Sequence, residues 1–354
     1  MAEFTTGIVH AVAPARRDMV RLEVDSPEGP LDVFGFVAML GPVGPGDRVV
    51  VNTTGIALGL GTGGAGFALW NLDGPGPGAV GPGHVVKLRY TPWQLNVLAA
   101  EEEASPHHEA LAGARSLDGV PVVACGLHSQ VAGVAAGIGA AMPRARVGYL
   151  MTDGASLPLA WSDLVEGLAD AGLIHVTCTS GHAFGGDLEA VNVFSGLVAL
   201  RHAGGADVIV VAPGPGVVGT GTALGFSSLE QGQVLDAASA LAGRAVACLR
   251  ISFADARARH RGVSHHSLTA LSVAAREPCS VVLPVLPEDE AARIRDQVEE
   301  AGLGRHRLVE RDGAPALALL QERGLRPTSM GRAVGESPEL WLAAGAAGAE
   351  AATG

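Results

Sequence analysis

Two hydrophobic rhythms divide the chain. At 7–12, 18–24, 31–40, 47–52 and 66–70, short alternating runs of apolar and polar residues are broken by turns such as Ser26-Pro27-Glu28-Gly29 and Gly44-Pro45-Gly46-Asp47. A period of two with short turns predicts antiparallel strands, closed into a small β-barrel or stacked as a β-sandwich. Beyond residue 117 the apolar runs become nearly continuous and β-branched, at 120–126, 147–151, 174–179, 207–212, 245–251, 280–285 and 306–309. Segments of helical period lie between them, at 130–142, 157–171, 188–203, 228–241, 267–276, 288–301 and 315–323. Strands apolar on both sides need cover on both faces, and strand–helix alternation supplies it. The expected fold is therefore α/β, a doubly wound, mostly parallel, Rossmann-like sheet preceded by a small β-rich domain. The expected boundaries are 1–95 for the β-rich domain, 96–116 for a linker through Glu101-Glu102-Glu103, 117–335 for the α/β domain and 336–354 for a flexible Ala/Gly-rich tail.

Composition narrows the classes of function. The 354 residues are 48% hydrophobic, 17% charged and carry a formal net charge of −12. Such a chain is repelled by nucleic acid and by anionic membrane surfaces, so neither is expected as a partner. No run reaches the roughly 18 uninterrupted apolar residues of a membrane span, and the first residues lack the basic-then-apolar pattern of a secretory signal. Cys125, Cys178, Cys248 and Cys279 show no CxxC spacing and fall in or beside predicted buried strands, which suits a reduced cytoplasm. Lys87 is the only lysine in a chain rich in arginine.

If the long apolar runs are parallel strands, the loops after them share one edge of the sheet, where open α/β sheets bind ligands. Gly214-Pro215-Gly216-Val217-Val218-Gly219 matches a dinucleotide fingerprint, but Thr220-Gly221-Thr222 extends the loop where a helix should open. The loop keeps a more general use: Gly214, Gly216, Gly219, Thr220 and Thr222 offer backbone N–H groups and hydroxyls to an anion. Arg257, Arg259 and Arg261 bring planar donor forks, and His260, His265 and His266 bring acid–base or metal-ligating imidazoles. His265 and His266, adjacent in sequence, are expected to point too far apart on a regular helix to share one ion. Asp153 follows a strand and is suited to orient an imidazole, so it joins the three histidines as a catalytic candidate. His128, His182 and Asp187, also after strands, form a candidate site for a divalent metal. In the β-rich domain, Asn52 and Lys87 are candidate ligand contacts, with Lys87 as a phosphate donor.

Several segments together resemble a bacterial family known only as domain of unknown function 3866. They are Asn52-Thr53-Thr54 with Gly59-Leu60-Gly61-Thr62-Gly63-Gly64, Lys87-Leu88-Arg89-Tyr90-Thr91-Pro92, Gly219-Thr220-Gly221-Thr222, and His260-Arg261-Gly262-Val263-Ser264-His265-His266-Ser267. The resemblance extends to about Gly335 and implies no activity. From the residues themselves, the expected function is an enzyme that binds a small anionic, phosphorylated metabolite and performs transfer or hydrolysis. The rival reading is a non-catalytic ligand-sensing or assembly module. A divalent metal cofactor and a homo-oligomer stay open.

Overall fold

The computed structural model describes residues 2–61, 63–78 and 81–353, so Thr62 of the glycine-rich loop and Gly354 of the tail lie outside it. The chain forms two compact units, Met1–Leu98 and Ala99–Gly354. In the first, strands β1 (Phe4–Arg16), β2 (Met19–Ser26), β3 (Gly29–Phe36), β4 (Arg48–Asn52) and β5 (Gly66–Asn71) close a barrel in the order β1-β2-β3-β5-β4. Alternation works as the sequence requires: Leu22, Val24, Val33, Val49 and Val51 point into one small core while their neighbours face outward. Closure is not purely antiparallel, because β3 and β5 pair in parallel through Val33 with Gly66 and Phe34 with Phe67. The run expected to stay extended to residue 40 leaves β3 after Phe36 and turns helically at Val37–Leu40.

The second unit is built on eight strands. They are β6 (Pro121–Cys125), β7 (Val147–Thr152), β8 (Val176–Thr179), β9 (Leu188–Glu189), β10 (Val208–Pro213), β11 (Arg244–Cys248), β12 (Ser280–Pro284) and β13 (Arg307–Arg311). Every pairing between them is parallel, in the order β9-β8-β7-β10-β6-β11-β12-β13. Side chains of alternate residues feed two separate cores: Val122, Ala124, Ile209 and Val211 enter one, and Val123, Cys125, Val208 and Val210 the other. This two-sided burial is why the runs read as continuous rather than alternating. Helices α1 (Gln130–Ala141), α2 (Asp163–Asp170), α3 (Val193–His202), α4 (Glu230–Ala240), α5 (His265–Thr269), α6 (Glu288–Glu300), α7 (Ala314–Glu322) and α8 (Pro338–Ala351) accompany the sheet. The chain runs from β6 outward to β7, and returns through β10 before crossing to β11. The carboxyl ends of β6, β10 and β11 therefore flank the point where the winding reverses, the usual place for a ligand.

Two expectations about flexible segments are corrected. Residues 99–116 are no linker: Ala100 and Leu111 are buried in the same core as Leu117, and the backbone of Ala100 bonds to Glu189. The tail is not flexible, because α8 packs against α1 with Trp341 only 1% exposed. Small residues there are a contact surface rather than a sign of disorder. A Cβ on Gly137 would lie 2.2 Å from the Gly345 carbonyl oxygen, and one on Gly348 2.2 Å from that of Val134. Glu350 of the same helix is buried and ion-paired with Arg311 at 2.7 Å and also with Arg307. Among the described residues no helix is long and apolar enough to cross a membrane.

Candidate functional site

A cavity of about 620 Å³ opens at the reversal point of the α/β unit. Its walls come from the loop after β6 (Leu127, His128, Ser129), from Asp163 and Leu164 of α2, and from the loop after β10 (Pro215 to Gly219, and Gly221). Arg250, Arg257, Arg259, His260 and His266, from the segment after β11, form a further wall. Residues 325–330 complete the lining, with Thr328–Ser329 and Arg332–Ala333 forming a small hairpin. The lining mixes apolar residues such as Leu127, Leu164 and Val217 with a group of arginines.

Behind the arginines of the segment after β11 stands one buried carboxylate. Asp255 is 5% exposed and accepts hydrogen bonds from Arg257 at 2.8 and 3.0 Å. Arg250 lies at 3.6 Å and Arg332 at 3.8 Å from the same carboxylate. Hydrogen bonds from Arg257, more than any other influence, hold Asp255 well below the usual carboxylate range. Burial pulls Arg250 down to about 10 in spite of Asp255. Asp255 thus stands among three guanidiniums; of these Arg250 and Arg257 reach the cavity lining, where Arg259 and Arg326 join them against one lining carboxylate, Asp163. The balance of charge favours an anionic visitor.

The imidazoles form the second cluster. One ring nitrogen from each of His260, His265 and His266 lies within 4.8 Å of the others, and ring centroids are 5.0, 5.0 and 4.4 Å apart. The expectation that His265 and His266 diverge is corrected. They are the first two residues of a five-residue helix, where the backbone enters from the extended Ser264 (ψ 139°) and a regular helical wheel does not yet apply. Ser264 Oγ accepts the His266 backbone N–H at 3.2 Å and lies 2.7 Å from His260 Nδ1. Ser228 Oγ lies 3.3 Å from His266 Nδ1. Phe226 stacks on the His266 ring at 4.0 Å and meets His265 edge-on. Burial, with help from Arg250 and Arg257, lowers His260 to about 4; burial and then His265 lower His266 to about 3. His265 is lowered too, by burial and then by Arg259. All three rings are thus shifted away from the charged form.

Of the other sequence-derived candidates, some reach the cavity lining and others lie away from it. His128 lines the cavity, but its nitrogens meet the Pro213 carbonyl at 3.1 Å and Ser162 Oγ at 2.6 Å, with Tyr149 Oη also at 3.2 Å. Burial lowers it to about 4. Asp187 accepts from the backbone and hydroxyl of Thr177, at 2.9 and 2.8 Å. Among the described residues His128, His182 and Asp187 form no ligand cluster. Asp153 accepts the His182 backbone N–H at 2.9 Å and does not line the cavity. Gly181, at φ +65°, is required beside it, since a Cβ there would lie 2.2 Å from the Asp153 carboxylate. Gly216 and Gly219 line the cavity, whereas Gly214 abuts the Ser156 carbonyl. Thr220 and Thr222 bond each other at 2.9 Å and close their own loop through Gly225. Arg261 is exposed outside the cavity lining, and its carbonyl accepts from Gln297 at 3.1 Å. In the barrel unit, Asn52 Oδ1 accepts the Thr54 N–H at 3.0 Å, and Lys87 is fully buried.

Residues 33–348 match the family described as protein of unknown function (DUF3866). The chain belongs to this family. No curated protein and no solved structure matches it. The matched span takes in every element of the cavity, so its arginines and histidines lie within the family's own region.

Sequence reasoning missed three residues in or directly behind the lining, and one buried carboxyl, Glu230, outside it. Arg250 and Asp255 stood at the fringe of the Arg/His segment, and nothing in their spacing marked a buried ion pair. Met330, whose Sδ accepts from Arg250 at 3.1 Å, comes from a hairpin that resembles any short turn. Glu230 opens α4 and accepts the Thr152 hydroxyl at 2.6 Å; burial raises it to about 7, and Asp153 adds to that. An acidic residue in the first turn of a helix ordinarily reads as a dipole partner.

Proposed function

We propose that the α/β unit binds a small anionic, phosphorylated metabolite with an apolar portion, and that the protein is an enzyme acting on it by transfer or hydrolysis. The observation that carries this reading is the excess of guanidinium over carboxylate in the lining of a cavity of about 620 Å³ at the sheet's reversal point, Arg250, Arg257, Arg259 and Arg326 against Asp163. Arginine forks match phosphate oxygens two at a time. The amino end of α1 stands behind Leu127, His128 and Ser129 in the lining and adds the positive end of a twelve-residue helix. Leu127, Leu164 and Val217 face the ligand's apolar part. The imidazoles beside the cationic wall supply groups for handling a proton or an ion at the bound phosphoryl group.

Titration calorimetry and thermal shift in metal-free buffer, with inorganic phosphate, pyrophosphate and a panel of phosphorylated metabolites, test the reading. Arg259→Ala should weaken the best ligand by about 10-fold or more, and the loss should shrink as salt rises. Equal affinity of wild type and Arg259→Ala for every anion in the panel would remove the basis of the proposal. A homo-oligomer is part of the same proposal only in that ligand binding and assembly are separable by measuring mass in solution alongside affinity.

A further inference from the structure

We propose that His260, His265 and His266 are the three protein ligands of a divalent transition-metal site, best suited to zinc, whose open position faces the arginine-lined cavity. Three neutral nitrogen donors and a remaining position for water or substrate form the donor set of catalytic zinc. Their ring nitrogens already lie within 4.8 Å of one another. A tetrahedral ion with bonds of about 2.1 Å needs donors roughly 3.4 Å apart, so small side-chain rotations complete the site.

The surroundings fit this use in detail. His260 and His266 each present Nδ1 to a serine hydroxyl, Ser264 and Ser228. A ring that donates its Nδ1 proton to such a hydroxyl keeps the Nε2 lone pair for an ion, the arrangement that orients most metal-binding histidines. His265 Nε2 is buried without a hydrogen-bond partner, which costs free energy unless something outside the chain meets it. Phe226 fixes two of the rings by stacking and edge contact. Gly219 brings loop backbone to His266 without filling the space between the rings: a Cβ there would stand 3.4 Å from His266 Nε2. His260 and His266 line the cavity, so an ion held by them is reachable by a bound ligand.

No carboxylate belongs to the ligand set, and Arg250, Arg257 and Arg259 lie close enough to oppose a cation. An anion on those arginines would relieve the repulsion, so metal and anion should assist each other. The imidazole geometry carries the metal site, while its use in turnover rests on the phosphorylated-metabolite reading above. In that use the ion would polarise a phosphoryl oxygen or lower the pKa of a bound water.

The test uses the full chain, stripped of metal by chelator and dialysed into chloride buffer without phosphate. Titration with zinc chloride, elemental analysis after desalting, and the visible absorption of a cobalt(II) derivative should give one ion per chain in a tetrahedral nitrogen environment. His265→Ala and His260→Gln should each lower zinc affinity on the order of 100-fold or more, and Ser228→Ala about 10-fold. Arg259→Ala should tighten zinc binding rather than loosen it, while weakening phosphate. If a histidine variant misfolds by circular dichroism, Ser228→Ala and the cobalt spectrum of the wild type still decide. Zinc uptake that is substoichiometric, or equal in wild type and a folded histidine variant, overturns the metal site. Loss of zinc in His265→Ala with metal-free phosphate binding intact would separate the two readings; phosphate binding lost only in Arg259→Ala would uphold the anion site independently.

Discussion

The barrel unit and the α/β unit use charge in opposite ways. In the barrel, Arg21 meets Asp32 and Arg48 meets Asp73 at 2.7 Å, yet these side chains are between about one third and two thirds exposed. Water already solvates both partners, so pairing changes little. In the α/β unit, Arg250 and Asp255 have side chains only 9% and 4% exposed, and His260, His266 and His128 are buried as well. Charges and imidazoles are kept dry there at a cost in stability. That pattern is typical of ligand sites, where burial and neighbouring charge tune each group.

The largest expected effect follows from breaking that dry pairing. Asp255→Ala leaves Arg250 buried without its carboxylate and should cost roughly 3–5 kcal/mol, read as a fall in the urea midpoint with m unchanged. A loss below about 1 kcal/mol, the range of exposed pairs, would erase the contrast between the units. Glu230→Gln sharpens it with a smaller effect of opposite sign. Glu230 is raised to about 7 from an ordinary 4.5, so the unfolded chain releases its proton first. Stability is full below pH 4.5 and is lost as pH rises to 7, by roughly 3 kcal/mol. The glutamine variant should therefore gain about 2–3 kcal/mol over wild type at pH 8 and nothing at pH 4, in denaturation series at the two pH values. The smallest effect belongs to the barrel. Arg48→Ala should leave the melting temperature within experimental error, and a clear shift would show that its surface pairs matter after all.

Much of the scaffold was legible in the sequence, because burial on two faces and burial on one write different rhythms. The continuous runs gave the parallel strands, and the alternating runs gave the barrel. Errors fell where local pattern was overruled by packing. Residues 188–203 read as one helix, but Leu188–Glu189 adds an edge strand before α3 begins at Val193. The helix expected from 157 starts only at Asp163, after a separate 3-10 turn. The Ala/Gly-rich tail has no apolar side chains of size beyond Leu340, Trp341 and Leu342, and its role in close helix contact depends on α1, far away in sequence. Of the site, the arginine and histidine segment was legible as a cluster of unusual density. Its convergence was not, since that depends on the backbone's turn out of extended Ser264 and on a contact with Phe226 from a distant loop, which spacing does not encode. Asp153 and Asp187 were plausible by position alone, and their hydrogen bonds to backbone at strand ends are visible only in three dimensions.

The contact of α8 with α1 has a consequence for biosynthesis. The ribosome delivers β6 and α1 early, yet the glycine-lined side of α1 stays uncovered until residues near 351 have emerged. Until then this side of an apolar helix has no partner from its own chain, and transiently uncovered apolar surface of this kind favours aggregation.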